Sequence, residues 1–223
     1  MSKIVPTKPL FILLYGFPGS GKTFFARQLA EILQAAHIHS DRIRSELFEQ
    51  PRFDKEENTV ISQLMDYMAE EFLRAGLSVV YDVNAMRLAQ RRALRDMARK
   101  SHAIPVLVWL QIDVDSAYNR ATKRDRRRVD DKYSPTLDQA TYQRIVSGMQ
   151  NPQPAEDYVV ISGKHTFNTQ FSALLKRLRE LGLVTLSTAK GGSANVVRPG
   201  LVNLVPKPAS GRVDMTRRNI VIR

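Results

Sequence analysis

The stretch LFILLYGFPGSGKTFFARQLAEIL, residues 10–33, carries an apolar run into a glycine-rich loop and leaves that loop in an amphipathic segment. Gly16, Gly21, Lys22 and Thr23 satisfy the spacing G-x-x-x-x-G-K-[ST], with Phe17, Pro18, Gly19 and Ser20 between them. A strand that ends in such a loop and is followed at once by a helix turns backbone N–H groups and the positive end of the helix dipole toward one point. That arrangement suits a phosphate. Gly19 and Gly21 allow close backbone approach and positive φ, Lys22 neutralises β- and γ-oxygens, and the Thr23 hydroxyl can ligate Mg2+. Residues 16–23 therefore predict a P-loop that holds ATP with Mg2+.

Around this loop, apolar runs alternate with amphipathic ones. LFILLY (10–15), AAHIHS (35–40), LSVVYDV (77–83), IPVLVWLQI (104–112) and DYVVIS (157–162) read as strands, near-continuously apolar as in a parallel sheet covered on both faces. Helices are predicted over 22–34, where Phe25, Leu29 and Leu33 share one face, over the Met-rich 56–75 and over the Arg-studded 87–100. Further helices are predicted over 115–128, from a Ser134 cap with Pro135 at the first helical position, and over FSALLKRLRELGL (171–183). The order predicts an α/β fold, a doubly wound five-stranded parallel sheet of the P-loop NTPase type, nucleoside-monophosphate-kinase-like.

With 223 residues, 43% of them hydrophobic, the chain can bury one core and carry an appendage. The composition turns to Gly, Ser, Pro and Lys/Arg near residue 187, which divides the chain into a kinase-sized domain, 1–186, and an extended basic tail, 187–223. The absence of cysteine excludes a disulfide framework, a thiolate zinc site and a Cys nucleophile, and suits a reducing compartment. The first apolar run is too short to span a membrane and has no small-residue cleavage site, so the expectation is a cytoplasmic protein with no membrane partner. The net charge of +12 is uneven: residues 82–132 hold thirteen Lys/Arg against seven Asp/Glu, and residues 187–223 hold seven against one. Basic patches concentrate polyanions, although ATP alone needs several cations and Arg-rich helix faces are often merely solvated.

Two strand ends supply acids. IHSDRIRSELF places Asp41 at the carboxyl end of the second strand, where ligands sit in an open parallel sheet, with Arg44 three residues on. Asp41 could deprotonate an acceptor hydroxyl while Arg44 holds an anionic part of the acceptor; equally, Asp41 or Ser40 could cap the helix that follows. LSVVYDVN ends in Asp82 with Asn84 two residues later, an acid after an apolar strand that suits Mg2+ binding, directly or through water. Asp113 and Asp115, after the fourth strand, read as caps of the helix that carries Tyr118. That helix leads into NRATKRDRRRVDDKYSP, with seven Lys/Arg between Arg120 and Lys132. Arg120 and Arg124, one helical turn apart, read as members of an Arg-rich lid that closes on the γ-phosphate; Arg126, Arg127 and Arg128 cannot all face one ligand.

The set GFPGSGKT, SDRIR, YDVN and NRATKR resembles the P-loop kinase group that contains the kinase domain of bacteriophage-type polynucleotide 5′-hydroxyl kinases, the zeta toxins and many small kinases. The resemblance covers roughly residues 8–182. It implies Asp41 as general base and Arg44 as a contact to an acceptor phosphate, Asp82 and Asn84 as the D-x-N pair, and Arg120 and Arg124 as lid arginines. It includes no phosphatase domain and nothing like the tail. The expectation is an ATP:hydroxyl phosphotransferase whose acceptor is a nucleic-acid 5′-hydroxyl, RNA or DNA. The alternatives are a kinase of a sugar, nucleoside or nucleotide-sugar, including the zeta-toxin type, and a nucleotide-dependent switch or assembly ATPase with a basic tail. Oligomeric state is not legible in the sequence.

Overall fold

The computed structural model describes residues 3–83, 87–125, 127, 129 and 131–187. The chain divides into a unit of Met1–Ala189 and a second of Lys190–Arg223, and the second lies outside the described residues. In the first unit the strands are β1 (Lys3–Pro6), β2 (Leu10–Tyr15), β3 (Ala36–His39), β4 (Val79–Asp82), β5 (Ile104–Gln111), β6 (Tyr158–Ser162) and β7 (Val184–Ser187). The helices are α1 (Lys22–Leu33), α2 (Ser40–Leu47), α3 (Lys55–Arg74), α4 (Leu88–Lys100), α5 (Val114–Thr122), α6 (Gln139–Ser147) and α7 (Phe167–Glu180).

The five predicted strands form one parallel sheet in the order β3-β4-β2-β5-β6, so β2 and its loop lie at the centre. Because side chains alternate across a strand, β2 divides its apolar run between two cores. Leu10, Ile12 and Leu14 pack with Phe25, Leu29 and Leu33 of α1 and Leu174 and Leu178 of α7. Phe11, Leu13 and Tyr15 pack with Ile61, Met65 and Leu73 of α3 and Leu94 of α4. Helices thus cover both faces, which is why both halves of the alternation had to be apolar.

Two expectations are corrected, and a third feature is new. The helix predicted from Ser134 begins instead at Gln139, because Asp138 Oδ1 accepts from Thr141 N at 2.7 Å and caps it; buried Ser134 stays outside the helix. The helix predicted over 115–128 starts one residue earlier, capped by Asp113 on Ser116 N at 2.8 Å, and stops at Thr122. Arg124 therefore lies beyond the helix, and Arg126 and Arg128 lie outside the described residues. Third, β1 and β7 form an antiparallel pair, Lys3 opposite Ser187 and Pro6 opposite Val184, which the sequence reading did not contain.

The Arg-studded face of α4 is in part structural. Arg91 is fully buried, donates from Nε and Nη2 to the two carboxylate oxygens of Glu156 at 2.7 Å each, and lies over the Tyr15 ring at 5.0 Å. Arg95 donates to the Glu156 carbonyl at 2.8 Å. These cations fasten the segment before β6 to α4, so they do not belong to a polyanion-binding face. Among the described residues, no helix is long and apolar enough to cross a membrane.

Candidate nucleotide and acceptor site

The P-loop follows β2 directly, and a cavity of about 630 Å3 opens above it, lined by Gly19, Gly21, Lys22 and Thr23 together with Asp41, Asp82, Arg120 and Arg124. The parallel sheet produces this convergence, since β2, β3, β4 and β5 all end on the same side. Gly16, Pro18 and Ser20 complete the loop; Ser20 is fully buried and its N–H donates to the Phe17 carbonyl at 3.0 Å.

Two glycines of the loop have different reasons. Gly19, at φ +85°, packs so tightly on α5 that a Cβ there would lie 2.1 Å from the Ala117 carbonyl oxygen. Gly21, at φ +93°, has open space and needs only the left-handed conformation. Gly19→Ala is therefore expected to push the loop off α5, lowering nucleotide affinity more than tenfold. Gly21→Ala should show only a backbone cost of about 1–2 kcal/mol. Nucleotide titration and thermal melts of the two variants check the order, and equal effects would remove the α5 contact from the explanation.

Lys22 is buried, and its Nζ donates to the carbonyls of Gly16 at 2.8 Å and Phe17 at 2.9 Å. Burial pulls its pKa from 10.5 down to about 8, with Asp82 and Asp41 opposing and Arg124 assisting. Bound phosphates favour the ammonium, so near pH 8 nucleotide binding should take up about half a proton and affinity should fall as pH rises through that point. Titration calorimetry in buffers of different ionisation enthalpy measures the uptake, and none at pH 8 would contradict the shift. From this group alone the native state holds fewer protons than the unfolded chain between about pH 8 and 10.5, so its penalty to stability is relieved as pH rises through that window.

Asp41 lies in the first turn of α2 and Asp82 ends β4; both are buried. The helix cap is His39, so neither Asp41 nor Ser40 serves as one. His39, absent from the sequence reading, has Nε2 at 3.9 Å from Asp41 Oδ2 and 3.8 Å from Asp82 Oδ2. His37 Nε2 lies 3.4 Å from the same Asp82 oxygen, and the two imidazoles stack 5.6 Å apart. The signal was present: His37 and His39 alternate on one strand, so they share a face. Burial, with Asp82 adding like charge, pushes the Asp41 carboxyl above its ordinary range against the pull of His39, Arg124 and Arg44. Burial also works against ionised Asp82, but the hydrogen bond from His37 and the charges of His39, His37 and Lys22 outweigh it and hold Asp82 below the usual range. One carboxyl is thereby made the stronger base, and the other is kept ionised.

Arg44 is buried and committed to α3. It pairs through Nη1 with Glu57, donates from Nη2 to Asn58 Oδ1 at 2.7 Å and lies 4.6 Å from the centre of the Phe53 ring, leaving Nε without a hydrogen-bond partner among the described residues. Arg120 donates to the Gly163 carbonyl at 2.8 Å, and Arg124 to the Pro135 carbonyl at 3.3 Å. Both still line the nucleotide cavity, although they are not on one helix face. Asn84 lies outside the described residues. Gly163, Lys164, His165 and Gln170, after β6 and at the start of α7, also line the cavity; SGKH at the end of the fifth sheet strand was the available sign. For Mg2+, the Thr23 hydroxyl and the Asp82 carboxylate on one cavity wall are a hard-oxygen donor set, and Mg2+ held with substrate phosphates needs only one or two carboxylates. The residues fit the ion.

Fold and loop together define a P-loop nucleotide-binding α/β domain. A family model described as an AAA domain matches residues 11–152, and the chain belongs to that family. Solved structures share the fold over most of their length. A sugar kinase from Janibacter sp. HTCC2649 is 15% identical with a TM-score of 0.57, covering 78% of this chain and 95% of its own. A gluconokinase from Sinorhizobium meliloti 1021 is 17% identical with a TM-score of 0.56, covering 78% and 93%. Kti12 from Chaetomium thermophilum, in complex with ADP-AlF3, is 18% identical with a TM-score of 0.59, covering 76% and 97%. No curated protein matches the sequence.

Proposed function

We propose that the protein is an ATP-dependent kinase that transfers the γ-phosphoryl group to a hydroxyl, with a nucleic-acid 5′-hydroxyl as the acceptor. The observation that carries this is the position of Asp41. With Ser40 and Arg124 it lines both the nucleotide cavity and a second cavity of about 780 Å3 that runs between α3, α4 and α6. A carboxylate between a phosphate cradle and a separate cleft is placed to serve an acceptor.

In this reading the acceptor hydroxyl enters from the second cavity and gives its proton to Asp41. Its oxygen bonds to the γ-phosphorus as the bond to the β–γ bridging oxygen breaks, and ADP leaves. Lys22 exchanges its two loop carbonyls for phosphate oxygens. Arg120 and Arg124 meet the charge that spreads over the γ-oxygens. Thr23 and Asp82 would hold Mg2+, which supplies charge neutralisation at the β- and γ-phosphates.

A small-molecule acceptor is the second reading, supported by the apolar part of the same wall, Ile61, Met65, Tyr81, Val83 and Leu137. Two of the similar structures bear the names sugar kinase and gluconokinase. Transfer from γ-labelled ATP to a 5′-hydroxyl oligonucleotide, compared with nucleosides and sugars, tests the choice. A single-stranded acceptor should lose affinity with a log–log salt slope of roughly −0.7 per phosphate neutralised. Labelling of small acceptors alone, with a flat slope, rejects the nucleic-acid reading, and hydrolysis without any acceptor rejects the kinase.

A further inference from the structure

We infer that Lys55, Arg87 and Arg144 form a second anion site at the outer end of the acceptor cleft, which seats a phosphate group of the acceptor while its hydroxyl lies at Asp41. The inference deepens the kinase reading and rests on it for the role of the inner end.

The cleft does not stop at its 780 Å3 chamber. Asn58, Ser62, Gln90, Arg144 and Ile145 line that chamber and also a recess of about 800 Å3, so the two adjoin. The inner end holds Asp41 and Arg124, and the recess adds Lys55 and Arg87. Three cations from separate elements thus converge there: the first residue of α3, the residue before α4, and a residue in the last turn of α6. No Asp or Glu is among the residues that line the recess, and none of the three cations makes an ion pair among the described residues. Asp138, whose carboxyl feels Arg144, is occupied in capping α6 through Thr141.

The neighbouring arginines are held differently. Arg44, in the wall of the 780 Å3 chamber, is neutralised by Glu57, and Arg91 by Glu156. Arg44 and Arg91 are buried and each has been supplied with an acid, whereas Lys55, Arg87 and Arg144 are exposed along the recess and none of them has one among the described residues. Three like charges left facing one cleft repel each other, and an anion entering between them removes that cost and gains their field. Guanidinium forks suit phosphate oxygens, and the polar Asn58, Ser62 and Gln90 along the way can hydrogen-bond a sugar or phosphodiester. The acceptor this describes is elongated, with a hydroxyl at one end and phosphate beyond it.

The test uses the full-length protein and three side chains that take no part in binding ATP. Lys55→Gln, Arg87→Gln and Arg144→Gln, singly and together, are compared with Arg144→Lys. The probes are a fluorescent 5′-hydroxyl tetranucleotide, a nucleoside 3′-phosphate and the matching nucleoside without phosphate. The triple variant should bind both phosphate-bearing probes at least tenfold more weakly with a shallower salt slope, leave the plain nucleoside unaffected and keep the ATP KM. Arg144→Lys should retain most of the affinity. The tetranucleotide losing much more than the nucleoside 3′-phosphate would assign the site to a polymer, and equal losses would assign it to one phosphate. The site is overturned if wild type and triple variant bind phosphate-bearing probes alike. Because binding is read directly, a protein that transfers phosphate to no hydroxyl yet loses phosphate binding on triple substitution would remove the kinase reading and keep the anion site. Unchanged acceptor KM and salt slope in an active triple variant would do the reverse.

Discussion

Lys22→Ala is expected to lower kcat/KM for phosphoryl transfer by roughly a thousandfold or more, since removing one preorganised charge from a developing anion costs several kcal/mol at comparable sites. The fold should survive. Lys22 lies in a pocket where burial already penalises its charge, and its two hydrogen bonds go to carbonyls of its own loop. Alanine removes a desolvated ammonium along with those bonds, so the melting temperature should move by only a few degrees. Transfer from γ-labelled ATP measured beside a thermal melt decides it: wild-type turnover would end the P-loop assignment, and loss of activity through unfolding would make Lys22 structural.

Asp41→Asn is expected to reduce kcat by roughly 100- to 10,000-fold, the range that a positioned general base supplies, with ATP affinity nearly unchanged. The stability consequence has a definite sign. Burial raises the Asp41 carboxyl above its unfolded value, so above that value the ionised group makes the native state less stable than a neutral amide would. The variant should melt at the same temperature or higher near neutral pH, the pattern of a residue kept for chemistry at a cost in stability. Single-turnover kinetics and ATP titration separate the outcomes. Loss of ATP binding with turnover intact at saturating ATP would make Asp41 a metal or structural residue, and a lower melting temperature would count against its role as a base.

His39 bears on the second of these results. Its imidazole lies within 4 Å of both carboxylates, so Asp41 and Asp82 are not independent. The cationic cleft qualifies the charge reading in turn. Of the Lys/Arg excess over residues 82–132, Arg91 and Arg95 fasten the chain before β6, Arg120 and Arg124 line the cavity above the P-loop, and Arg87 opens onto the outer recess. One run of charge in the sequence is divided among three places in the fold.

The sequence alone determined the sheet and the phosphate loop, because both are written in local pattern. Apolar runs in β2, β4 and β5 have only one way to hide two faces, and G-x-x-x-x-G-K-T between a strand and a helix has one physical use. The acids at Asp41 and Asp82 were legible for the same reason, since a strand's carboxyl end in a parallel sheet is a place that chain order predicts. Tertiary structure alone decided what those residues touch. Lys3 pairs with Ser187, Arg91 with Glu156, and Arg144 meets Lys55 and Arg87 across a cleft. Each of these juxtapositions joins segments far apart in the chain, and no window of sequence records which buried arginine has been given which acid. That depends on the packing that brings Glu57 to Arg44 and Glu156 to Arg91, because a buried charge is stable only where the folded chain supplies its partner.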